Sequence, residues 1–284
     1  MKCIGIIAKH TDPRAESIVS DLARWLGERG REVAFDRETA ALLGRSDGVI
    51  RSKLPEHSDF LIVIGGDGTL LSAARVVGGS GKPILGVNLG GLGFMTAVTL
   101  EELYPVLERI LRNEVDYDER MMLCVHVHRL GERVADYTVL NDAVINKGAM
   151  AKIVDIRVTV EDGYLSTYKA DGLIISSPTG STGYSLSAQG PIVYPTLHTL
   201  LITPICPHML TLRPLLVPDD MTVRAELISK GTDVYLTLDG QVGFGLREGD
   251  VVEVRKAKAT LRFIRSPFRD YFTVLRTKLK WGER

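Results

Sequence analysis

Cysteine is scarce: Cys3, Cys124 and Cys206 are the only three in 284 residues, far apart and with no CxxC pair. That excludes a disulfide framework and leaves reduced thiols, the pattern of a cytosolic chain. Net charge is missing too. Lys and Arg number 35 against 35 Asp and Glu, so the broad basic field of a nucleic-acid-binding chain is absent. No run of about 18 apolar residues occurs, and no transmembrane helix is expected. The apolar start, Cys3–Ala8, is cut off by Lys9 and His10, short of the ~7–15-residue core of a signal peptide. Neither nucleic acid nor a membrane is an expected partner, and the cytoplasm is the expected compartment. No His/Cys cluster has zinc spacing. His126 and His128 share one strand face without an evident third ligand and are expected to be exposed. Internal repeats and low-complexity segments are also lacking.

Glycine, by contrast, is in surplus. The chain has 28, about 10% where ~7% is usual. Around these glycines the first ~115 residues alternate strand and helix signals. Strands are expected at Ile4–Ala8, Glu32–Phe35, Phe60–Ile64 and Pro83–Val87. Helices are expected from Pro13 to Arg29 on a stripe of Ile18, Leu22, Trp25 and Arg29, and over Leu70–Val77 with Thr69 as a cap. Another is expected over Leu100–Arg112, where Thr99 and Glu102 spell a capping box, with Pro105 pointing to a later start. Such alternation implies a mostly parallel sheet with helices on its faces. After about Val115 the period changes to two, with Leu123, Val125 and Val127 against Cys124, His126 and His128. Short strands follow at Val154–Val160, Leu173–Ser176, Val223–Leu227, Val234–Leu238 and Val251–Val254. The expected fold is an α/β N-terminal domain, 1–118, and an all-β sandwich, 119–267. A tail, 268–284, could return to the first domain.

Three loops gather residues suited to nucleotide chemistry. Gly65-Gly66-Asp67-Gly68-Thr69 joins a buried strand to a helix. Its glycines allow positive φ and close backbone approach to a ligand, and a helix N-terminus favours phosphate. Asp67 reads either as a turn residue or as a carboxylate that holds a metal ion or takes a proton. The loop is neither a P-loop nor a GxGxxG fingerprint. Gly86–Phe94, with four glycines, follows a strand of the same domain and so should share the carboxyl edge where open α/β sheets bind ligands. Phe94 there reads as a core residue or as a stacking face. Asp171–Ser187 runs from a strand into a loop dense in hydroxyls, suited to ribose, amide and phosphate. Asn141-Asp142 alone reads as a turn.

Taken in order, Gly65–Thr69, Asn141-Asp142, Ser177–Tyr184, Pro204–His208 with Arg213-Pro214, and Asp239-Gly240-Gln241 resemble the NAD kinase family. Diacylglycerol and sphingosine kinases carry a motif similar to the first, but the combination is highly specific. The resemblance implies ATP-dependent phosphorylation of the adenosine-ribose 2′-hydroxyl of NAD, giving NADP, with Mg2+ or another divalent metal. It implies Asp67 as the base, which also helps to place the metal, beside Gly65, Gly66 and Thr69 of the phosphate loop. Gly68 and Phe94 would line the NAD site, and Asn141 and Asp142 would hold ribose hydroxyls. Asp171, Thr182, Tyr184 and Ser187 would contact the adenine and nicotinamide ends, with Thr179 and Gln241 nearby. Lys169 falls where members vary, and Gly183 stands where many have alanine. A homodimer or homotetramer is implied. Polyphosphate remains open as a second donor. A diacylglycerol-type lipid kinase and a non-catalytic NAD-sensing protein are the alternatives. The first leaves Asn141-Asp142 and the hydroxyl loop unexplained, and the second has no need of an acid at Asp67.

Overall fold

The computed structural model describes residues 2–148, 152–230 and 233–282. The chain forms two units, Met1–Glu119 with Leu261–Arg284, and Arg120–Thr260.

The first unit begins with β1 (Cys3–Ala8), α1 (Ala15–Glu28), β2 (Glu32–Phe35) and α2 (Arg37–Leu42). It continues with β3 (Phe60–Gly65), α3 (Asp67–Val77), β4 (Ile84–Asn88), β5 (Val98–Thr99) and α4 (Leu100–Leu111). Strands β2, β1, β3 and β4 pair in that order, all parallel, and β5 adds to β4. The continuous apolar runs of β1, β3 and β4 are buried on both faces, as parallel strands under helices require. Because the strands run one way, the chain after Ala8, Gly65 and Asn88 leaves from a single edge.

Helix α1 buries Ala15, Val19, Leu22 and Leu26, a stripe turned slightly from the expected one. Ile18 and Trp25 flank it, and the Arg29 guanidinium lies over the Trp25 ring at 3.7 Å. Helix α4 has the expected capping box at Thr99 and Glu102, but it starts at Leu100 and runs through Pro105. The box fixes the start, and Pro105 is carried inside the helix without the bond its nitrogen cannot make.

The second unit starts within β6 (Tyr117–Arg129) and continues with β7 (Glu132–Val139), β8 (Asp142–Lys147), β9 (Val154–Val160), β10 (Gly163–Ala170) and β11 (Gly172–Ser176). A one-turn helix α5 (Tyr184–Ser187) precedes β12 (Thr199–Ile205), β13 (Leu215–Pro218), β14 (Val223–Leu227), β15 (Val234–Leu238), β16 (Val242–Leu246) and β17 (Val251–Ile264). One antiparallel sheet has the order β13-β12-β11-β8-β15-β16; the other contains β10-β9-β14-β17, with β6 beside β17 and β7 beside β6. Their inner faces share one core that includes Val125, Ile156, Val158, Ile145, Ile175, Ile202 and Leu236. On the far side of the first sheet Val144, Ile174 and Ile205 pack with Ala188, which seats the segment after β11 on that face.

Strand β17 is much longer than the expected Val251–Val254. Its last residues belong to the first unit, where Phe263 pairs with Ile84 of β4. After it, α6 (Tyr271–Leu279) is capped by the Asp270 side chain. Arg269 holds this segment to the start of α4, donating to Ala97 O at 2.8 Å and to the Glu102 carboxylate.

Candidate functional site

In the first unit, β3 ends at Gly65. Gly66 takes an extended conformation (φ −109°, ψ −173°) and caps α3, which begins at Asp67. Thr69 is therefore inside the first turn and is not the cap. None of Gly65, Gly66 and Gly68 has positive φ. Close approach explains Gly65, where a Cβ would strike the Thr69 side chain, and Gly93, where one would strike the Asp67 carboxylate, while Gly66 faces open space.

Asp67 is tied to the loop after β4. Its Oδ2 accepts from Phe94 N at 2.9 Å. Its Oδ1 accepts from Met95 N at 3.2 Å, Thr96 N at 3.1 Å and Thr96 Oγ1 at 2.9 Å. Asn88 Nδ2 donates to Thr96 Oγ1 at 2.6 Å, and Asn88 Oδ1 accepts from Gly90 N. Two glycine-rich loops are thus fastened through one carboxylate, by bonds that span 27–29 residues of sequence. A carboxylate offers about four acceptor sites, so Oδ2, with a single donor, keeps capacity for another. The half-buried Phe94 ring has Lys278 of α6 at 5.7 Å from its centroid, within cation–π range.

Beside this loop lies a cavity of about 350 Å³ lined by Lys9, His10, Arg51, Gly66, Gly68, Thr69 and Ser72, among others. Arg51 is held there by Asp36 at 2.6 Å, by Ser72 at 3.1 Å, and by Glu38. Glu38 also lines the cavity and, with Asp36, offsets Arg51, so the field that favours an anionic group there comes from Lys9 and the N-terminus of α3. Sequence reasoning passed over Lys9, His10 and Arg51. The available signal was the position of Lys9-His10, directly after β1 at the carboxyl edge of a parallel sheet.

In the second unit the organising carboxylate is Asp239. It sits in the turn after β15 with left-handed backbone (φ +50°), followed by Gly240 (φ +65°). It accepts from Leu140 N at 3.1 Å, Asn141 N at 2.7 Å and Asp142 N at 3.3 Å. Ser177 latches the same segment, with Oγ donating to Leu140 O at 2.6 Å and N to Asn141 O at 2.8 Å. Gly180 lies against the Asn141 backbone with no room for a Cβ.

The outcome is a cavity of about 320 Å³ whose lining includes Asn141, Asp142, Asn146, Tyr184, Thr237 and Asp239. Asn141 Oδ1 is buried without a hydrogen-bond partner. Asp142, 5% exposed, has its carboxyl pushed up to about 7 by burial and then by the neighbouring Asp239 carboxylate.

The hydroxyl loop divides into two sets. Ser177, Thr179, Ser181 and Ser185 are buried and hold the loop itself. Ser181 Oγ donates to Pro178 O and accepts from Val193 N, Ser185 pairs with Thr203, and Thr179 Oγ1 accepts from Arg120. Thr182 and Gly183 are half-buried, while Tyr184 and Ser187 are exposed. Gly183 borders Asn141 and Asp142. Gln241 is exposed in the turn of Asp239, its N–H on Leu238 O at 3.0 Å.

Lys169 and Asp171 are not brought to this cavity. Gly172 pairs with Asn146 and Ser176 with Asp142, so Asp171 lies at the other end of β11, five residues or roughly 17 Å away. There it pairs with Lys147 at 3.1 Å.

Comparison with known proteins gives a consistent result. A family model described as ATP-NAD kinase N-terminal domain matches residues 4–115, and one described as ATP-NAD kinase C-terminal domain matches residues 140–266. The NAD kinases of Geobacter sulfurreducens and Geobacter metallireducens are 55% and 56% identical to this chain, over the whole length of both partners. That of Solibacter usitatus is 48% identical, covering all of this chain and 99% of the relative. Among solved structures, a yeast NADH kinase complexed with NADH aligns with a TM-score of 0.91 at 24% identity, covering 100% of this chain and 89% of the other. An NAD kinase from Archaeoglobus fulgidus in complex with ATP gives 0.76 at 22% identity, with 98% and 99% covered. At those identities the two structures speak to the fold.

Proposed function

The chain belongs to the NAD kinase family, and on that premise we propose that it transfers the terminal phosphoryl group of ATP to the 2′-hydroxyl of the adenosine ribose of NAD, giving NADP. The observation that carries this reading is the cavity of the second unit. Asn141 presents an unpartnered acceptor beside a buried Asp142, and two adjacent acceptors suit the two donors of a ribose diol. The cost of a buried polar atom without a partner, about 1–3 kcal/mol, is relieved when such a ligand enters.

Phosphoryl transfer needs positioning and charge neutralisation more than covalent chemistry. Gly66, Gly68 and Thr69 at the head of α3, with Lys9, His10 and Arg51 around the adjoining cavity, would hold donor phosphates. Asp67 Oδ2 would take the proton of the attacking hydroxyl. A divalent cation would be held chiefly by the donor phosphates and water, as magnesium commonly is, with the Asp67 carboxylate reaching it through such a water. When bound, such an ion neutralises charge between the phosphates. Phe94 would offer its ring to the dinucleotide, and Thr182, Tyr184 and Ser187 their outward hydroxyls. Lys169, near the end of β10, and Asp171, just before β11, would serve a neighbouring copy in a homodimer or homotetramer. The cytoplasm, where thiols such as those of the unpaired Cys3, Cys124 and Cys206 stay reduced, is the proposed compartment. No helix among the described residues is long and apolar enough to cross a membrane.

An NADP-formation assay with ATP and polyphosphate in parallel, each with NAD and NADH, tests the proposal. Product with ATP and NAD is expected. Absence of NADP from the folded, magnesium-supplied protein overturns it.

A further inference from the structure

His126 and His128 were expected to be exposed and without a third ligand. The structure differs on both points. Strand β6 turns Leu123, Val125 and Val127 into the sandwich core and Cys124, His126 and His128 to the other face. That face is covered by side chains of the adjoining strands, and His126 is only 5% exposed. Asp136 of β7 lies opposite His126 in register, and Glu253 comes from β17. His126 Nδ1 is 3.5 Å from Glu253 Oε1. On the other side of the ring, Nε2 is 3.1 Å from Cys124 Sγ and 3.6 Å from Asp136 Oδ1. The His128 ring stands edge-on to that of His126, with centroids 6.2 Å apart, and its Nε2 is buried without a hydrogen-bond partner.

We propose that His126, His128 and Glu253 bind a first-row divalent transition cation, zinc being the first candidate. One ligand atom from each lies within 4.8 Å of the others. Metal–ligand bonds of about 2.0–2.1 Å in a tetrahedron place ligand atoms ~3.4 Å apart, which the His126–Glu253 spacing already meets. Two imidazoles and one carboxylate suit zinc and its neighbours rather than calcium or magnesium. Three protein ligands leave a fourth position for water.

The outer contacts agree. With Nδ1 on the cation, His126 Nε2 carries the proton and has Cys124 and Asp136 as acceptors, the second partner that ligating histidines usually have. Glu253 Oε2 accepts from Arg224 Nε at 2.9 Å, which fixes the carboxylate with Oε1 toward His126. A rival set, Cys124, His126 and Asp136, also falls within 4.8 Å. It would use Nε2 of the same ring, where the Arg133 guanidinium already stands 3.4 Å from both His126 Nε2 and Asp136 Oδ2. There the guanidinium occupies the very atoms that would ligate, whereas Arg224 takes Glu253 Oε2 and leaves Oε1 and His126 Nδ1 to an ion, so the His128 side is the one assigned.

The test uses full-length protein stripped with a chelator, then titrated with Zn2+ or Co2+ in excess Mg2+, with circular dichroism to verify the fold of each variant. Expected are one ion per chain and Co2+ visible bands of low coordination number. His128→Gln should weaken binding by more than the ~10–100-fold that loss of an outer partner costs, and Glu253→Gln should do likewise. Cys124→Ser and Asp67→Asn should keep the site. Failure of the wild type to bind an ion stoichiometrically overturns the assignment. So does unchanged affinity in folded His128→Gln, or loss of binding in Cys124→Ser alone. Should Glu253→Gln fail to fold for want of its Arg224 partner, His128→Gln decides.

Discussion

Asp67 and Asp239 do the same local work in the two units. Each gathers consecutive backbone amides of a loop, 94–96 in one case and 140–142 in the other. What stands beside them differs. Asp239 has a second carboxylate, Asp142, next to the amides it holds, so under the proposed function anchoring and ligand contact would fall to separate residues. In the first unit Asp67 would carry both tasks, with Oδ1 saturated and Oδ2 able to accept one more partner. A carboxylate that has been relieved of loop-holding can be altered with a local effect; one that has not will show two effects at once.

The largest expected effect follows from that. Asp67→Asn should lower kcat for NADP formation by about 10²–10⁴, the usual worth of a general base. An amide also sets N–H against the N–H of Phe94, so hydrogen exchange at Phe94 should quicken in the same variant. Thr96→Val removes two bonds, the hydroxyl's own to Asp67 Oδ1 and that of Asn88 Nδ2 to the hydroxyl, so stability should fall by ~2 kcal/mol or more, yet kcat should stay within about tenfold. If Thr96→Val proves as inactive as Asp67→Asn, the defect belongs to the loop and the base must be sought elsewhere.

Next comes Asp239→Ala, which strips three buried amides of their acceptor. Hydrogen bonds to a charged group are worth about 1.5–3 kcal/mol each, so chemical denaturation should register a loss of ~3 kcal/mol or more. A loss under ~1 kcal/mol would make Ser177 the principal latch.

Asp142→Asn should act the other way. With its carboxyl pushed up to about 7, the folded chain binds a proton that the unfolded chain, titrating near ~4, releases earlier. The stability from that proton is complete below ~4 and is lost as pH rises through 7. Asparagine mimics the protonated form throughout. The variant should therefore be more stable than wild type at pH 8, by about 1–3 kcal/mol at ~1.4 kcal/mol per pKa unit. The gain should shrink as pH falls, while KM for NAD rises. A net loss of stability at pH 8 would falsify the buried-pair account.

The smallest effect belongs to Gly183→Ala. Its Cβ would meet Gly180 O at 3.2 Å and Asn141 Nδ2 at 3.6 Å. The neighbours need move only slightly, and stability should change by about 0.5 kcal/mol or less, with KM for NAD unaltered. A large rise in KM would show that this part of the cavity has no slack.

The sequence made the parallel sheet and the sandwich legible because buried strands and capping boxes are local patterns: β3, β14 and β15 fall where alternation and apolar runs put them, and Thr99 with Glu102 caps as read. Gly65–Thr69 stood out for the same reason. What escaped is long-range. Asp239 meets its amides 97–99 residues away in sequence, and no period announces that. His126 looked exposed because alternation assigns it to the outer face, while the cover over that face comes from β7 and β17. Thr69 looked like a cap because hydroxyls usually are, yet extended Gly66 already served and the helix began three residues sooner. The five hydroxyls of Ser177–Tyr184 could be counted but not sorted; only packing tells an inward Ser181 from an outward Tyr184.

The return of Leu261–Arg284 to the first unit also bears on synthesis. A chain emerging from the ribosome can complete the second unit once Thr260 is out, while the earlier-made first unit still lacks Phe263 beside β4 and Arg269 at the head of α4. Vectorial folding ordinarily finishes the N-terminal domain first; here the first unit would wait for its last strand and helix. Chains ending at Thr260 and released from the ribosome should resist protease over 120–260 and be cut within 2–119. The loop that carries Asp67 would then be among the last parts of the molecule to set.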